Sequence, residues 1–230
     1  MSTTISTGSK SVDSLLGGGV HIGMITDIYG ESGSGKSQLC FTLCSNNSRR
    51  GFRTLFIDSA GTFRPERIAE ISGSHLALEK ISYMRVLTTK GQSNATRKIL
   101  EMQPNLVIVD TLTSLFSAEY TGPVRHLAVM NYLHNLAVIA IRSDCAVVIT
   151  NLVRTDPMTI ADQAGRNVTD AIIPSHQREY LGNSVSILSH MRIKLQIADS
   201  TKPSFQAILV QPPGRGSVDF SIDISGISDC

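Results

Sequence analysis

Apolar and polar positions along the 230 residues change period repeatedly, and the changes mark out a series of short elements. Residues 24–29, 54–58, 81–86, 106–110 and 145–150 are brief apolar runs of strand length. Between them, apolar residues recur every three or four positions, the signature of helices. One stretch, 38–46, carries Leu39, Cys40, Phe41, Leu43 and Cys44. A second opens at Pro65 with Ile68 and Ile71, and a third covers 93–102. A longer one, 124–143, carries Leu127, Leu133, Leu136, Ile139 and Ala140. Ser9 or Ser11 can cap a short helix through Val12, Leu15 and Leu16, which Gly17, Gly18 and Gly19 stop. Strands alternating with helices predict an α/β domain with a mainly parallel sheet flanked by helices. The run Leu106–Asp110 is apolar up to its last residue, as a strand covered on both faces must be.

The rhythm fails between 152 and 183, where Pro157, Gly165, Pro174 and Gly182 interrupt any period. So long an irregular stretch in a compact domain marks a functional or disordered loop. Beyond it, 185–198, 204–211 and 218–224 read as strands separated by turn residues, an antiparallel C-terminal extension of the sheet. One domain, 1–230, is expected. At 41% apolar residues the chain can bury one full core, and 21 basic against 19 acidic residues give composition no electrostatic bias toward a partner. With no apolar run of membrane-spanning length and no basic, apolar leader at the N-terminus, the expectation is a soluble, intracellular protein with no membrane partner. Cys40, Cys44, Cys145 and Cys230 form no C-x-x-C pair, and Cys40 and Cys44, one helical turn apart, read as small buried hydrophobes rather than metal ligands.

Chemistry enters at 30–37, GESGSGKS, which satisfies G-x-x-x-x-G-K-[ST] at every position. A predicted strand precedes it and a predicted helix follows, the context a phosphate-binding loop needs. Gly30, Glu31, Ser32, Gly33, Ser34 and Gly35 let backbone amides wrap phosphates at a helix N-terminus. Lys36 reaches the terminal phosphates, Ser37 places a hydroxyl on Mg²⁺, and Gln38 opens the helix. The motif implies a nucleoside triphosphate. Asp110, at the end of its apolar strand, fits a carboxylate that holds magnesium and its waters, although a strand-terminal Asp also serves as a helix cap.

The sequence resembles the RecA/RadA-type strand-exchange recombinases, most of all archaeal RadA and RadB-type proteins and their eukaryotic relatives. The resemblance is carried by 5–19 (ISTGSKSVDSLLGGG), the phosphate loop, 58–68 (DSAGTFRPERI), 107–116 (VIVDTLTSLF), Glu119, Tyr120, Gly122 and 146–151 (AVVITN). It covers essentially the whole chain. The resemblance implies a RecA-like ATPase core that binds ATP with Mg²⁺ between protomers. It also implies assembly on single-stranded DNA in homologous recombination and repair, close to the nucleoid. Arg67 stacks on adenine in this picture; pairing with Glu66 or Glu70 is the plain alternative.

Two departures stand out. The family's DTEGTFR segment carries the Glu that activates the attacking water, and Ala60 occupies that position here. Losing a general base costs 10²–10⁴-fold, roughly 3–5.5 kcal/mol of barrier. Asp58, two residues earlier, is the nearby carboxylate to weigh as a substitute. The family's TNQV reads Thr150, Asn151, Leu152, Val153, and leucine cannot donate the hydrogen bond by which Gln senses the terminal phosphate. Gln211 stands before Pro212 and Pro213 where the family's ATP cap often has an acidic residue. The resemblance places DNA contacts at Arg125 and, in the second loop, Arg154, Arg166 and Arg178. That loop balances these three positives against Asp156, Asp162, Asp170 and Glu179, a poor phosphate funnel. His126, His176 and Tyr180 are equally base-stacking candidates or ordinary loop residues. Neither the family's helix-hairpin-helix domain nor a Phe-x-x-Ala hook is found in the sequence.

Three readings follow. The first is an accessory paralogue that binds ATP with weak or absent turnover and helps a RadA-type recombinase or another paralogue on single-stranded DNA. The second is an active DNA-dependent ATPase using another carboxylate. The third is a nucleotide-binding interaction module without DNA contact.

Overall fold

The computed structural model describes residues 3–155, 177–179, 181–199, 204–214 and 216–230. Its central sheet is built on strands β3 (Ile25–Gly30), β4 (Thr54–Asp58) and β6 (Leu106–Asp110), in which every residue is buried. β5 (Ile81–Arg85), β7 (Ala146–Thr155) and β9 (Met191–Asp199) complete a parallel block in the order β5-β4-β6-β7-β3-β9. β10 (Ser204–Gln211), β11 (Ser217–Asp223) and β12 (Gly226–Asp229) extend it antiparallel beyond β9. A two-strand ribbon of β1 (Thr4–Ile5) and β2 (Val20–His21) stands beside this sheet. The expected parallel core with a C-terminal antiparallel extension is therefore what forms, and its class is RecA-like α/β.

The sheet divides two apolar layers. One holds Ile28, Phe56, Ile108 and Val148 against α1 (Lys10–Leu15), α2 (Lys36–Arg49) and α3 (Pro65–Ser72). The other holds Leu55, Val107, Val109, Val147 and Ile149. It packs on α4 (Thr89–Met102), α5 (Ser114–Glu119), α6 (Gly122–Arg142) and α7 (Gly182–Leu188). Successive strand residues face opposite layers, so unbroken apolar runs are what a doubly covered sheet selects. Cys40, Cys44 and Cys145 are buried in these layers, as hydrophobes of their size should be.

Local signals place the helix ends. Ser9 caps α1 by accepting from the Val12 amide at 3.1 Å, and its own hydroxyl donates to Asp229 of β12 at 2.5 Å. Chain start and chain end are thereby tied together. Pro65 opens α3 at its first turn, where its missing N–H costs nothing. A 3₁₀ turn, His75–Lys80, leads into β5.

Two expectations are corrected. Residues 185–188 belong to α7, and the strand begins only at Met191. Leu181, Val185 and Leu188 recur at helical spacing and face the α6 layer, and that burial overrides the β-propensity of Val185 and Ile187. The irregular stretch also starts later than expected. β7 runs on to Thr155, and β8 (Gln177–Glu179) returns antiparallel against its end, with Arg154 opposite Arg178. Among the described residues, no helix is long and apolar enough to cross a membrane.

Candidate functional site: a phosphate-loop cleft

β3 delivers the glycine loop to one end of the sheet, and α2 begins at Lys36. Gly30 is required by contact: a Cβ there would lie 2.1 Å from the Leu195 carbonyl and 2.7 Å from Ser34 Oγ. Gly35 is favoured by its φ of +93°, a left-handed conformation that strains other residues. The loop closes an open cleft of about 820 Å³. Ser32, Gly33, Lys36, Ser37 and Gln38 line it, with Ala60, Thr62 and Asp110 across from them.

The Lys36 ammonium is folded back onto its own loop. It donates to the Gly30 carbonyl at 2.9 Å, to the Glu31 carbonyl, and weakly to Ser34 Oγ at 3.4 Å. Burial lowers its pKa from the ordinary lysine value, and the Asp110 charge opposes that shift. A cation held by neutral carbonyls in a partly desolvated loop is poised to gain from an arriving phosphate.

Asp110 is 1% exposed and held by three hydroxyls. Ser37 Oγ donates to Oδ2 at 3.0 Å, Thr62 Oγ1 to the same oxygen at 2.8 Å, and Thr150 Oγ1 to Oδ1. Ser37 and Asp110, far apart in sequence, thus form one cluster of hard oxygen donors of the kind magnesium prefers. The sequence reading named Ser37 and Asp110 but missed Thr62 and Thr150. Both hydroxyls lie in predicted segments, yet only the order β4-β6-β7 brings them to the same carboxylate.

Asp58 is placed otherwise than the substitute-base expectation requires. It is fully buried and organises the turn after β4. Its Oδ1 accepts from the amides of Ala60 at 3.0 Å and Gly61 at 2.6 Å. Its Oδ2 accepts from Phe63 N at 3.3 Å and Tyr83 Oη at 3.2 Å, and Arg85 pairs with Oδ1 at 3.3 Å. A carboxylate so committed has no free lone pair directed at the cleft. Ala60 does face the cleft, and so does Leu152, which sits in register beside Gly30 and is 45% exposed.

At the far end of the cleft, Arg67 lines the wall. It pairs with Glu70, donates through Nε to Gln38 Oε1 at 2.9 Å, and reaches the Asp223 and Ile224 carbonyls of the β11–β12 turn. With its donors engaged, Arg67 presents a fixed flat guanidinium among Phe205, Ile222 and Ile224. Gln211 is drawn away from this site, donating to the Ser189 carbonyl at 2.8 Å.

The DNA-contact expectations are only partly placed. Arg125 lies in the first turn of α6, and the β7–β8 ladder sets Arg154 opposite Arg178. Arg166, His176 and Tyr180 lie outside the described residues. His126 Nδ1 shares a 2.7 Å hydrogen bond with Ser184 Oγ. A buried network unseen in the sequence joins the base of this loop to the nucleotide strand. Asn151 donates to Glu179 at 2.7 Å, and Glu179 pairs with Arg192, which donates to Asp27 Oδ2 at 3.1 Å.

Fold and cleft together define the class: a RecA-like core with a phosphate loop and a strand-terminal carboxylate facing it across one intervening strand. Comparison with known proteins narrows this. The Rad51 family model matches residues 2–197. The chain is 29% identical to a DNA repair protein RAD51 homolog of Solanum lycopersicum, over 98% of its own length and 69% of the relative's. It is 30% identical to the DNA repair protein RAD51 homolog 1 of Arabidopsis thaliana over the same shares. It is 36% identical to the DNA repair and recombination protein RadA of Cenarchaeum symbiosum, over 66% of this chain and 43% of that one. The chain belongs to the Rad51 family.

Proposed function

We propose that this protein is an ATP- and Mg²⁺-binding member of the recombination and repair machinery that works as an accessory paralogue, similar to RadB-type proteins, with weak or absent ATP hydrolysis. The carrying observation is the contrast within one cleft. The phosphate loop and the Ser37–Asp110 pair are intact, while Ala60 and Leu152 stand where a base and a phosphate sensor are needed. Lys36 and the loop amides hold the triphosphate, and Ser37 and Asp110 hold the metal. Arg67 and the β11–β12 turn flank the base. Magnesium supplies charge neutralisation at the phosphates; nothing at position 60 can accept a proton from water. Against the active-ATPase reading stands the placement of Asp58, its candidate substitute base, which accepts from the Ala60 and Gly61 amides and pairs with Arg85.

Single-stranded DNA and a RadA-type recombinase or another paralogue are the proposed partners, with DNA engaged weakly or through the partner by Arg125, Arg154, Arg166 and Arg178. The test is ATP turnover with and without single-stranded DNA, on the native chain and on Ala60→Glu, beside a nucleotide-binding titration. The expected result is tight binding, negligible native turnover, and a gain in the variant of up to the 10²–10⁴-fold a general base is worth. Brisk DNA-stimulated turnover by the native chain overturns the proposal. DNA binding that is absent at low salt favours the interaction-module reading.

A further inference from the structure

Helix α6 is apolar on two opposite faces. Its inner face, Val129, Tyr132, Leu133, Leu136, Ile139 and Ala140, is buried against the sheet. On its outer face Val124, Leu127 and Ile141 are 61%, 61% and 64% exposed, and Asn131 and His134 are exposed between them. Together with half-buried Val138 these residues follow spacings of three, four, three, four and three. At 100° per residue they occupy an arc of about 100°, centred about 170° from the buried face. The 21-residue helix contains no Asp or Glu, and Arg142, its exposed last residue, is the one Arg or Lys whose angle falls within the outer arc. Among the described residues, none covers Val124, Leu127 and Ile141, and an apolar stripe on a surface helix favours burial.

The stripe is also self-complementary. Val124 and Ile141, Leu127 and Val138, and Asn131 and His134 are three pairs with one common midpoint, between Tyr132 and Leu133. An identical helix laid antiparallel about a two-fold axis at that midpoint sets Val124 on Ile141 and Leu127 on Val138. It also sets the Asn131 amide beside the His134 imidazole. The apolar residues close on each other at both ends, and the two polar side chains meet at the centre, where a hydrogen-bonding pair fixes register. A two-fold interface requires this reciprocity, since each patch must meet itself. Leu100 on α4 and Ile187 on α7 are 52% and 65% exposed, on helices that pack against α6.

We infer that the outer face of α6 is a homodimer interface, in which two copies of this chain pair antiparallel along the stripe from Val124 to Ile141. The seam is about 27 Å long. A contact of one helix pair with flanking residues lies at the small end of specific interfaces, so the dimer forms with a Kd in roughly the micromolar range.

The experiment is sedimentation equilibrium of the full chain from about 1 to 200 µM, with Leu127→Lys, Val138→Glu and the double variant. A native monomer–dimer equilibrium is expected. Each single change should raise Kd at least about tenfold by burying a charge. The double variant should recover part of the loss, because positions 127 and 138 face each other only in the antiparallel pair. As a second readout in the Cys230→Ser background, Leu127→Cys with Val138→Cys should form intermolecular disulfides on oxidation, and either cysteine alone should not. A native chain that stays monomeric throughout, a dimer indifferent to both single changes, or crosslinking by a lone Leu127→Cys overturns the inference.

Discussion

Replacing Asp58 by Asn separates a catalytic from an architectural carboxylate. The substitution keeps an acceptor at Oδ1 for the Ala60 and Gly61 amides. It puts an NH₂ where Oδ2 now accepts from Phe63 N and Tyr83 Oη, and it removes the charge opposite Arg85. Hydrogen bonds to a buried charge contribute about 1.5–3 kcal/mol each, and Asn leaves at least one donor facing another. The expected loss is about 2–4 kcal/mol, which at 2–4 °C per kcal/mol for a chain of this size lowers the melting temperature by roughly 5–15 °C. Calorimetry of the nucleotide-free protein reads the stability. A nucleotide titration well below the transition should show affinity changed less than about tenfold, because the phosphate loop itself is untouched. If the melting temperature stays put while residual hydrolysis falls by two or more orders of magnitude, Asp58 is the base after all, and the architectural assignment is refuted.

Two other perturbations follow from the same geometry. Asp110→Asn should weaken nucleotide binding in the presence of Mg²⁺ by at least about tenfold and leave binding in EDTA nearly unchanged, since the loss is of metal-directed charge; equal loss in both titrations contradicts a metal role. Asp27→Asn tests the buried network. Burial first, then the neighbouring Glu179, push the Asp27 carboxyl well above its ordinary value, with Arg192 opposing. The fold therefore binds a proton that the unfolded chain has released, so this group's contribution is full below the ordinary Asp pKa and is lost as pH rises through the folded value. Relative to native, Asp27→Asn should gain stability as pH rises above about 4, read as the difference in denaturation midpoint across pH 4–8. A pH-independent difference rules the linkage out.

Much of the molecule was legible in the sequence, for physical reasons that differ by element. β3, β4 and β6 were found to within a residue because strands covered on both faces are short, predominantly apolar runs, with Asp27 of β3 a buried exception. The glycine loop was readable because a close approach to backbone at Gly30 and a left-handed φ at Gly35 both favour glycine. Ala60 and Leu152 were legible as departures because the flanking residues of the family pattern are present. What failed was decided by contacts between distant segments. Val185 and Ile187 favour a strand locally, and burial of Val185 beneath α6 makes that stretch helical. Asp58 resembles a spare carboxylate in sequence; its turn amides, Tyr83 and Arg85 consume it. The hydroxyls of Thr62 and Thr150 gain meaning only when the strand order sets them on Asp110, and Asp27, Glu179 and Arg192 form one network only after three strands converge. Periodicity and glycine placement are properties of a few neighbouring residues, so sequence determines them. The partner of a buried charge is chosen by sheet order and register, which only the folded chain possesses.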